Sequence, residues 1–204
     1  VASIDGETCS ISLPDGSAVA GVSTSDVSWA HEGETPADHC GLMHLSEATV
    51  LHNTVQRAAD GKFYTWVGPG QLISVNPCKR IAELFGEKKM GEFRGRMVGT
   101  TADTLEPHAY AVAEAAMSEL HRRPRVAVLV SGESGAGKTE VNRLVVAYIV
   151  WRDGEVAAAG GRKSQYAAAG HARSVAEGVL RSSVMLEALG NASMVANSNS
   201  SRFG

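Results

Sequence analysis

The sequence is poor in cysteine, contains no long apolar run and has no strong excess of charge of either sign. Its 204 residues include three cysteines, Cys9, Cys40 and Cys78, with no Cys-x-x-Cys or Cys/His ligand spacing. That pattern argues against a disulfide framework and a zinc site, and reduced thiols fit a cytoplasmic protein. No apolar stretch approaches a membrane span, and the first residues lack the layout of a secretory signal. A net charge of −3 argues against a nucleic-acid-binding protein.

The strongest pattern that is present is a glycine-rich octet, GESGAGKT. It matches the phosphate-loop pattern G-x-x-x-x-G-K-[ST] at every fixed position. In this pattern, glycines let successive backbone N–H groups point at one centre, where they bind phosphate oxygens at a helix N-terminus. Lys138 is expected to reach the β- and γ-phosphates, and the Thr139 hydroxyl to ligate Mg²⁺. The octet predicts a nucleoside triphosphate site, formed by Gly132, Glu133, Ser134, Gly135, Ala136, Gly137, Lys138 and Thr139.

The residues on either side of the octet suit a strand and a helix. Upstream, Val126–Val130 is a short, β-branched apolar run, which predicts a buried parallel strand. Downstream, apolar residues recur at helical spacing. They are Val141, Leu144, Val145, Tyr148 and Ile149.

The first 41 residues predict two parts. Within residues 1–30, short apolar stretches flank the turn signal Pro14–Ser17, which indicates a small β-hairpin or a piece of a barrel. Residues 31–41 are polar and rich in turn formers, which indicates a solvated linker. The alternative, a metal site, has the wrong ligand spacing for zinc. Its candidate ligands are His31, His39, Cys40 and His44.

Three further segments have clear local patterns. Ser46 is a suitable N-cap for a short helix over Leu45–Asn53. The segments Phe63–Val67 and Gln71–Val75 flank a Gly-Pro-Gly turn and predict a hairpin. A second helix is predicted to begin at Pro107 and to end at residues 121–124. Its predicted core-facing stripe is Ala109, Val112, Ala113, Ala116, Met117 and Leu120.

The remaining segments have weaker patterns. Residues 78–106 mix charges of both signs and predict a solvated surface rather than a site for an anionic partner. Residues 152–176 predict a surface loop, after which a helical spacing returns around Val179–Leu189. The Asn/Ser-rich end, Asn197–Gly204, is by itself typical of a disordered tail.

Together these motifs resemble the N-terminal part of the myosin motor domain. Kinesins share the Asn…Ser-Ser-Arg core near the end, but Phe203-Gly204 and Glu133–Ala136 favour myosin. Residues 1–30 resemble the last strands of the small SH3-like barrel of many myosins. The segments that match across residues 42–204, in the family's order, are Leu45–Asn53, Val75–Pro77, Pro107–Ala111, Gly132–Glu140, Leu186–Ala192 and Asn197–Gly204.

The resemblance implies a fold and a domain order. The fold is an α/β P-loop NTPase of the myosin/kinesin type, with a partial central sheet flanked by helices and a small SH3-like β piece before it. The domains are then a partial barrel over residues 1–30, a linker over 31–41 and the N-terminal part of the motor domain over 42–204.

The resemblance also implies roles for residues outside the phosphate loop. Asn197–Gly204 corresponds to switch I, the loop that senses the γ-phosphate. There Asn197 would contact the nucleotide phosphates, and Ser200 the γ-phosphate and the attacking water. Ser201 would be a Mg²⁺ ligand, and Arg202 would pair with a glutamate of switch II. Such groups stabilise charge that develops during phosphoryl transfer.

With Lys138, the implied catalytic residues are Ser200 and Arg202, and the implied cofactors are ATP and Mg²⁺. Asn76 and Pro77 begin the family's purine-side loop.

The chain departs from the family pattern in several places. Leu84 or Phe85 stands near the usual purine-loop tyrosine, and Ser183-Val184 replaces a common Asn-Pro. The loop between the phosphate loop and switch I (loop 1 of the family) is rich in alanine and glycine, which is expected to influence nucleotide release. The sole Asp-x-x-Gly, Asp38–Gly41, precedes the phosphate loop. Switch II is therefore expected beyond Gly204, and the chain is expected to be truncated after switch I.

The function implied by the resemblance is the ATP-binding part of an actin-based motor that couples ATP hydrolysis to movement along actin filaments. Actin would bind through regions beyond Gly204, calmodulin-like light chains would join the full-length protein, and the location would be cytoplasmic and cytoskeletal. The chain alone is expected to bind Mg-ATP but to hydrolyse it poorly, because Arg202 lacks its partner. The alternatives are a non-motor nucleotide-binding module, an inactive truncated motor and a small P-loop kinase.

Overall fold

A computed structural model describes residues 1, 3–13, 15–79, 81–96, 106–158, 178, 182, 192–194 and 197–200. The helices are α1 (Glu47–Ala59), α2 (Glu87–Phe93), α3 (Ala109–Glu119) and α4 (Lys138–Ala158). The strands are β1 (Ser3–Asp5), β2 (Thr8–Ser12), β3 (Ala18–Ser23), β4 (Tyr64–Trp66), β5 (Leu72–Ser74), β6 (Ala192–Met194) and β7 (Asn197–Ser200). No helix in this described part is long and apolar enough to cross a membrane.

The first three strands form an antiparallel sheet in the order β1-β2-β3, which confirms the short strands predicted within residues 1–30. The predicted turn lies between β2 and β3, where the Asp15 carboxylate accepts hydrogen bonds from the backbone N–H and the hydroxyl of Ser17. Cys9 is the only buried residue of the three strands. This sheet therefore adds little to the core, and its assignment to an SH3-like barrel stays a prediction.

The second half of the predicted linker is packed against the protein rather than solvated. The Asp38 carboxylate accepts backbone hydrogen bonds from Cys40 and Gly68, both at 2.9 Å, and the backbone N–H of Trp66 donates to the carbonyl of Ala37. His39 is buried beside α1. The prediction of a solvated linker was wrong here because these bonds join segments about thirty residues apart, which polar composition does not reveal. Among the described residues, no group of three side chains could hold a metal ion, and the three cysteines are free.

Helix α1 begins as its sequence predicts and continues further. Ser46 and Thr49 form a reciprocal capping box, in which each side chain accepts a hydrogen bond from the other's backbone N–H. The helix ends at Ala59, six residues beyond the predicted end. Its last turns are held by Arg57, whose buried guanidinium donates to the Thr65 hydroxyl and the Tyr64 carbonyl of β4.

The predicted hairpin is confirmed, since β4 and β5 pair in antiparallel register. Its inner residues Tyr64 and Trp66 join the main core. That core lies among the hairpin, α2, α3 and α4. Its other buried members are Met90, Phe93, Ala109, Tyr110, Ala111, Ala113, Val145 and Tyr148.

Residues 78–106 are thus only partly a solvated surface. Met90 and Phe93 of α2 are buried in the core. The charged side chains of this segment behave as predicted, because Lys89, for example, forms surface ion pairs with Glu92 and Glu106.

Helix α3 differs from its prediction in start and in buried face. Its N-cap is His108, whose side chain accepts a hydrogen bond from the backbone N–H of Tyr110. The buried face is shifted toward the N-terminus and includes Tyr110 and the charged Glu114, while Leu120 is half exposed. The predicted apolar stripe is confirmed in part, because Ala109 and Ala113 are buried in the core and Val112 packs against it. The prediction missed the burial of Glu114, which pairs with Arg152 of α4.

The predicted strand Val126–Val130 is not a strand in the structure. Leu129 is 92 % exposed, and the stretch lines one side of a cavity of about 710 Å³ opposite Trp66, Leu72 and Val145. A strand exists only when a neighbour supplies the hydrogen bonds of a ladder. Among the described residues, the three sheets contain no strand that pairs with this stretch.

Helix α4 confirms the helix predicted after the octet. It buries Val145 and Tyr148, with Val141, Leu144 and Ile149 packed against the core. The helix extends to Ala158, so residues 152–158 are helical where a loop was predicted. The ion pair between Arg152 and Glu114 of α3 holds this added part.

The later predictions fall mostly on undescribed residues. The rest of the predicted loop, residues 159–176, and the helical spacing around Val179–Leu189, apart from Ser182, lie outside the described residues. Of the Asn/Ser-rich end, Asn197–Ser200 forms β7, which pairs antiparallel with β6. Residues 201–204 are not described.

Candidate functional site

The phosphate-loop octet forms a tight turn that leads directly into α4. Gly132, Gly135 and Gly137 have φ angles of 155°, 85° and 89°, which only glycine adopts without strain. A Cβ at Gly132 would also lie 3.2 Å from the Cβ of Ala136. The octet therefore forms a glycine-dependent backbone turn at the N-terminus of α4, and a helix N-terminus is a position at which proteins commonly bind anions.

The Lys138 side chain folds back over this loop. Its Nζ donates hydrogen bonds to the carbonyl oxygens of Gly132 at 2.9 Å and Glu133 at 2.7 Å. The positive charge thus lies over the loop, where it adds to the partial charge of the helix N-terminus.

Asn76 joins the segment after β5 to the phosphate loop. Its Nδ2 donates to the carbonyl of Gly135 at 2.9 Å, across 59 residues of sequence. Its Oδ1 accepts from the backbone N–H of Cys78, also at 2.9 Å. A Cβ at Gly137 would meet the Asn76 side chain at 3.5 Å, so the two segments are in close contact.

A cavity of about 570 Å³ lies between these two segments. One wall is the N-terminal part of α4, and another carries Leu84 and Phe85 from the turn that precedes α2. Tyr64 contributes a phenol whose pKa is raised by burial to about 12. The lining residues are Phe63, Tyr64, Ser74, Val75, Asn76, Pro77, Cys78, Lys79, Leu84, Phe85, Ala136, Gly137, Glu140, Val141 and Leu144.

The structure therefore brings together two of the three predicted groups of site residues. The octet Gly132–Thr139, with Lys138 and the candidate Mg²⁺ ligand Thr139, lies beside Asn76 and Pro77. Of the predicted switch I residues, Asn197 and Ser200 lie in β7, where only the backbone is described. Ser201 and Arg202 fall outside the described part of the chain.

Two residues that support the site were not identified as such from the sequence. Glu114 and His108 are both nearly fully buried. The Glu114 carboxylate accepts hydrogen bonds from the backbone N–H of Gly95, the Tyr148 hydroxyl and the Arg152 guanidinium, and so ties α4 to α3. One signal for the role of Glu114 was present in the sequence, namely a charged residue within the alanine-rich α3.

Cys78, which lines the cavity, is the one non-glycine residue with a positive φ, 54°, in the described part of the chain. A left-handed conformation costs an L-residue about 1–2 kcal/mol, whereas glycine adopts it freely at some entropic cost. We expect Cys78→Gly to raise the free energy of unfolding by about 0.5 kcal/mol, measured as a higher midpoint in urea. The matched control is Cys40→Gly, an exposed cysteine without positive φ, which should lower that midpoint. A lower midpoint for both variants would contradict the prediction.

Comparisons with known proteins identify the family of this chain. The family model described as myosin head (motor domain) matches residues 36–204. The chain is 40% identical over 176 residues to Myosin-6 of Arabidopsis thaliana, covering 84% of this chain and 11% of that protein. It is 41% identical over 169 residues to Protein OPAQUE1 of Zea mays, covering 82% of this chain and 10% of that protein.

A more distant relative gives the same result. The chain is 34% identical over 168 residues to Unconventional myosin-VI of Bos taurus, covering 82% of this chain and 11% of that protein. The chain thus spans about a tenth of the length of these relatives. Both the family model and the relatives cover most of this sequence, and on that ground the chain belongs to the myosin head (motor domain) family.

Proposed function

We propose that this chain supplies the nucleotide-binding part of an actin-based motor that couples ATP hydrolysis to movement along actin filaments. The observation that carries the proposal is the junction between Asn76 and the phosphate loop, with a cavity of about 570 Å³ beside it. Membership of the family supports the motor part of the proposal. A P-loop NTPase fold is the family's expected framework for these elements.

The residues present fit a nucleoside triphosphate with Mg²⁺. The phosphate-loop backbone turns through positive φ at Gly135 and Gly137, and a side chain at Gly132 would crowd it, because a Cβ there would lie 3.2 Å from the Cβ of Ala136. Lys138 and the N-terminus of α4 supply positive charge beside this backbone. Bound nucleotide would supply the phosphoanhydride bond that is cleaved. Lys138 would exchange its two carbonyl contacts for phosphate oxygens, and the Thr139 hydroxyl would ligate Mg²⁺.

The base and ribose would enter the adjoining cavity. Its walls combine apolar side chains, such as Leu84 and Phe85, with the polar groups of Asn76, which is the composition of small-molecule sites. Asn76 also fixes the distance between this cavity and the phosphate loop, because its amide bridges Gly135 and Cys78.

Hydrolysis would require groups on the other side of the phosphates, and we assign these groups to switch I. Asn197 would contact the phosphates, and Ser200 would lie near the γ-phosphate and the attacking water. Ser201 would ligate Mg²⁺, and Arg202 would pair with a switch II glutamate. These assignments rest on the motif Asn197–Gly204. Actin filaments as partner, light chains and association with the cytoskeleton are proposed for the whole motor on the same family ground.

The proposal is tested by equilibrium binding of Mg-ATP to the chain, measured by calorimetry. Replacing Lys138 with alanine removes the lysine whose side chain lies over the loop, and a charge-assisted hydrogen bond contributes about 2 kcal/mol. We therefore expect Lys138→Ala to weaken binding by roughly thirtyfold.

The matched control for this test is Lys62→Ala. Lys62 is an exposed lysine that lines neither cavity, and its replacement should leave the affinity unchanged. Equal affinities of wild type and Lys138→Ala would overturn the site assignment, as would absence of Mg-ATP binding by the wild type.

A further inference from the structure

The wall of the cavity that carries Leu84 and Phe85 is a short 3₁₀ turn, Ala82–Leu84, with little support of its own. No side chain caps this turn, and none of its residues is buried. Among the residues that the structure describes, two local backbone hydrogen bonds close this turn, from the N–H of Leu84 to the carbonyl of Ile81 and from the N–H of Phe85 to the carbonyl of Ala82. Its position against the cavity must therefore come from contacts with another element.

His108 supplies one such contact. Its Nε2 lies 3.0 Å from the carbonyl oxygen of Leu84, and its Nδ1 lies 3.1 Å from the backbone nitrogen of Tyr110. A backbone N–H can only donate, so Nδ1 is the acceptor and the neutral imidazole carries its proton on Nε2. The ring thus caps α3 with one nitrogen and holds the turn with the other.

The imidazole itself is held in place by aromatic neighbours. Its centroid lies 4.6 Å from that of Tyr64, 4.5 Å from Tyr110 and 5.3 Å from Phe93. Tyr110 adds a second tie, because its hydroxyl is hydrogen-bonded to the backbone of Gly86. The start of α3 therefore fixes residues 84–86 from the core side, while Leu84 and Phe85 face the cavity.

We propose that His108 is a positioning residue for the base side of the nucleotide site: through Leu84 it sets the wall against which the base binds. This inference rests on the proposed function. It predicts that His108 affects the affinity for a whole nucleotide and leaves the affinity for the phosphate chain alone unchanged, since the two hydrogen bonds of the imidazole run to Leu84 and Tyr110 and not to the phosphate loop.

Two substitutions separate the two bonds of the imidazole. In His108→Asn, the amide oxygen can still accept the Tyr110 N–H, as asparagine does at N-caps, but the side chain is too short to reach Leu84. In His108→Gln, the longer side chain can place its amide N–H where Nε2 lies and can donate to the Leu84 carbonyl. It no longer accepts the Tyr110 N–H, so the N-cap of α3 is lost. Both variants are expected to lower stability, but only His108→Asn loses the hydrogen bond to Leu84 that positions the cavity wall.

The experiment measures the dissociation constants of Mg-ATP and of Mg-tripolyphosphate for the full chain and both variants. We expect His108→Asn to weaken ATP binding by about tenfold, the size of a lost pocket contact, and to leave tripolyphosphate binding unchanged. His108→Gln should keep the wild-type ratio of the two constants. The control Ser46→Ala, which removes the N-cap of α1 far from the cavity, should keep it as well.

Several outcomes would overturn the inference. Equal loss of affinity for both ligands in His108→Asn would show a general structural effect. An unchanged ATP affinity would show that the wall does not depend on His108. If the wild type binds both ligands equally well, the assignment of the Leu84 and Phe85 wall to the base is wrong, while the assignment of the phosphate loop stands. If the wild type binds neither ligand, the proposed function and this inference are both wrong.

A measurement on the wild type keeps the inference testable if His108→Asn does not fold. The ¹⁵N resonance of His108 Nε2 should shift when Mg-ATP binds and stay in place when Mg-tripolyphosphate binds. The same resonance position with both ligands would overturn the inference.

Discussion

Replacing Glu114 with alanine is expected to lower the free energy of unfolding by about 4 kcal/mol, because removing one partner of a buried ion pair leaves the others uncompensated. The Glu114 side chain is 3 % exposed, and its Oε2 lies 3.1 Å from Nε of Arg152. The same oxygen accepts the Tyr148 hydroxyl at 2.8 Å, and Oε1 accepts the Gly95 N–H at 2.8 Å.

The loss would leave three donors without an acceptor. Tyr148 is fully buried, and burial together with Glu114 raises the pKa of its phenol, so that it remains a donor at neutral pH. Two of the donors lie on α4, the helix that begins at the phosphate loop. The substitution should therefore loosen the packing of α4 on α3 as well as lower stability.

The measurement is urea unfolding followed by circular dichroism, with Glu119→Ala as the matched control. Glu119 lies on the same helix and pairs with Arg122 and Arg123 at the surface, where such pairs contribute about 0–1 kcal/mol. Similar destabilisation by the two substitutions would contradict the assigned role of Glu114.

Lowering the pH from 6.5 to 4 is expected to lower the free energy of unfolding by about 3 kcal/mol, because His108 is buried in its neutral form. Burial, helped by the nearby positive charge of Lys89, lowers the pKa of this histidine from 6.5 to about 4 in the folded chain, despite Glu106 and Glu92 acting in the opposite direction. Between those two pH values the unfolded chain binds a proton that the folded chain does not, so stability rises with pH. The contribution is fully present above pH 6.5 and is lost as the pH falls toward 4, by about 1.4 kcal/mol per pH unit.

This second prediction is checked by comparing wild type and His108→Gln. The free energy of unfolding of the wild type should fall more steeply between pH 6.5 and 4 than that of the variant, which has no titratable group there. His39, whose pKa is lowered mainly by burial, acts in the same direction in both proteins and cancels in the difference. Parallel pH profiles would show that His108 is not buried in its neutral form.

Local patterns were good guides where the forces are local. The N-cap at Ser46 and the hairpin around Gly68–Gly70 form within a few residues, and both were correctly predicted, whereas the reciprocal bond from Thr49 was seen only in the structure. The run Val126–Val130 shows the limit of such patterns. Its composition suits a buried strand, but a strand needs a neighbour to complete its hydrogen bonds, and composition does not supply one.

The sequence by itself determined the phosphate loop, the helix that follows it and the family, because those depend on consecutive residues with fixed chemistry: glycines for backbone turns, a lysine for charge and a threonine hydroxyl. Only the tertiary structure decided what surrounds the loop. Asn76 reaches Gly135 across 59 residues, Glu114 reaches α4 across 34 and 38 residues, and His108 reaches Leu84 across 24. Single hydrogen bonds between distant segments leave no periodic trace in a sequence, since they depend on how the elements pack.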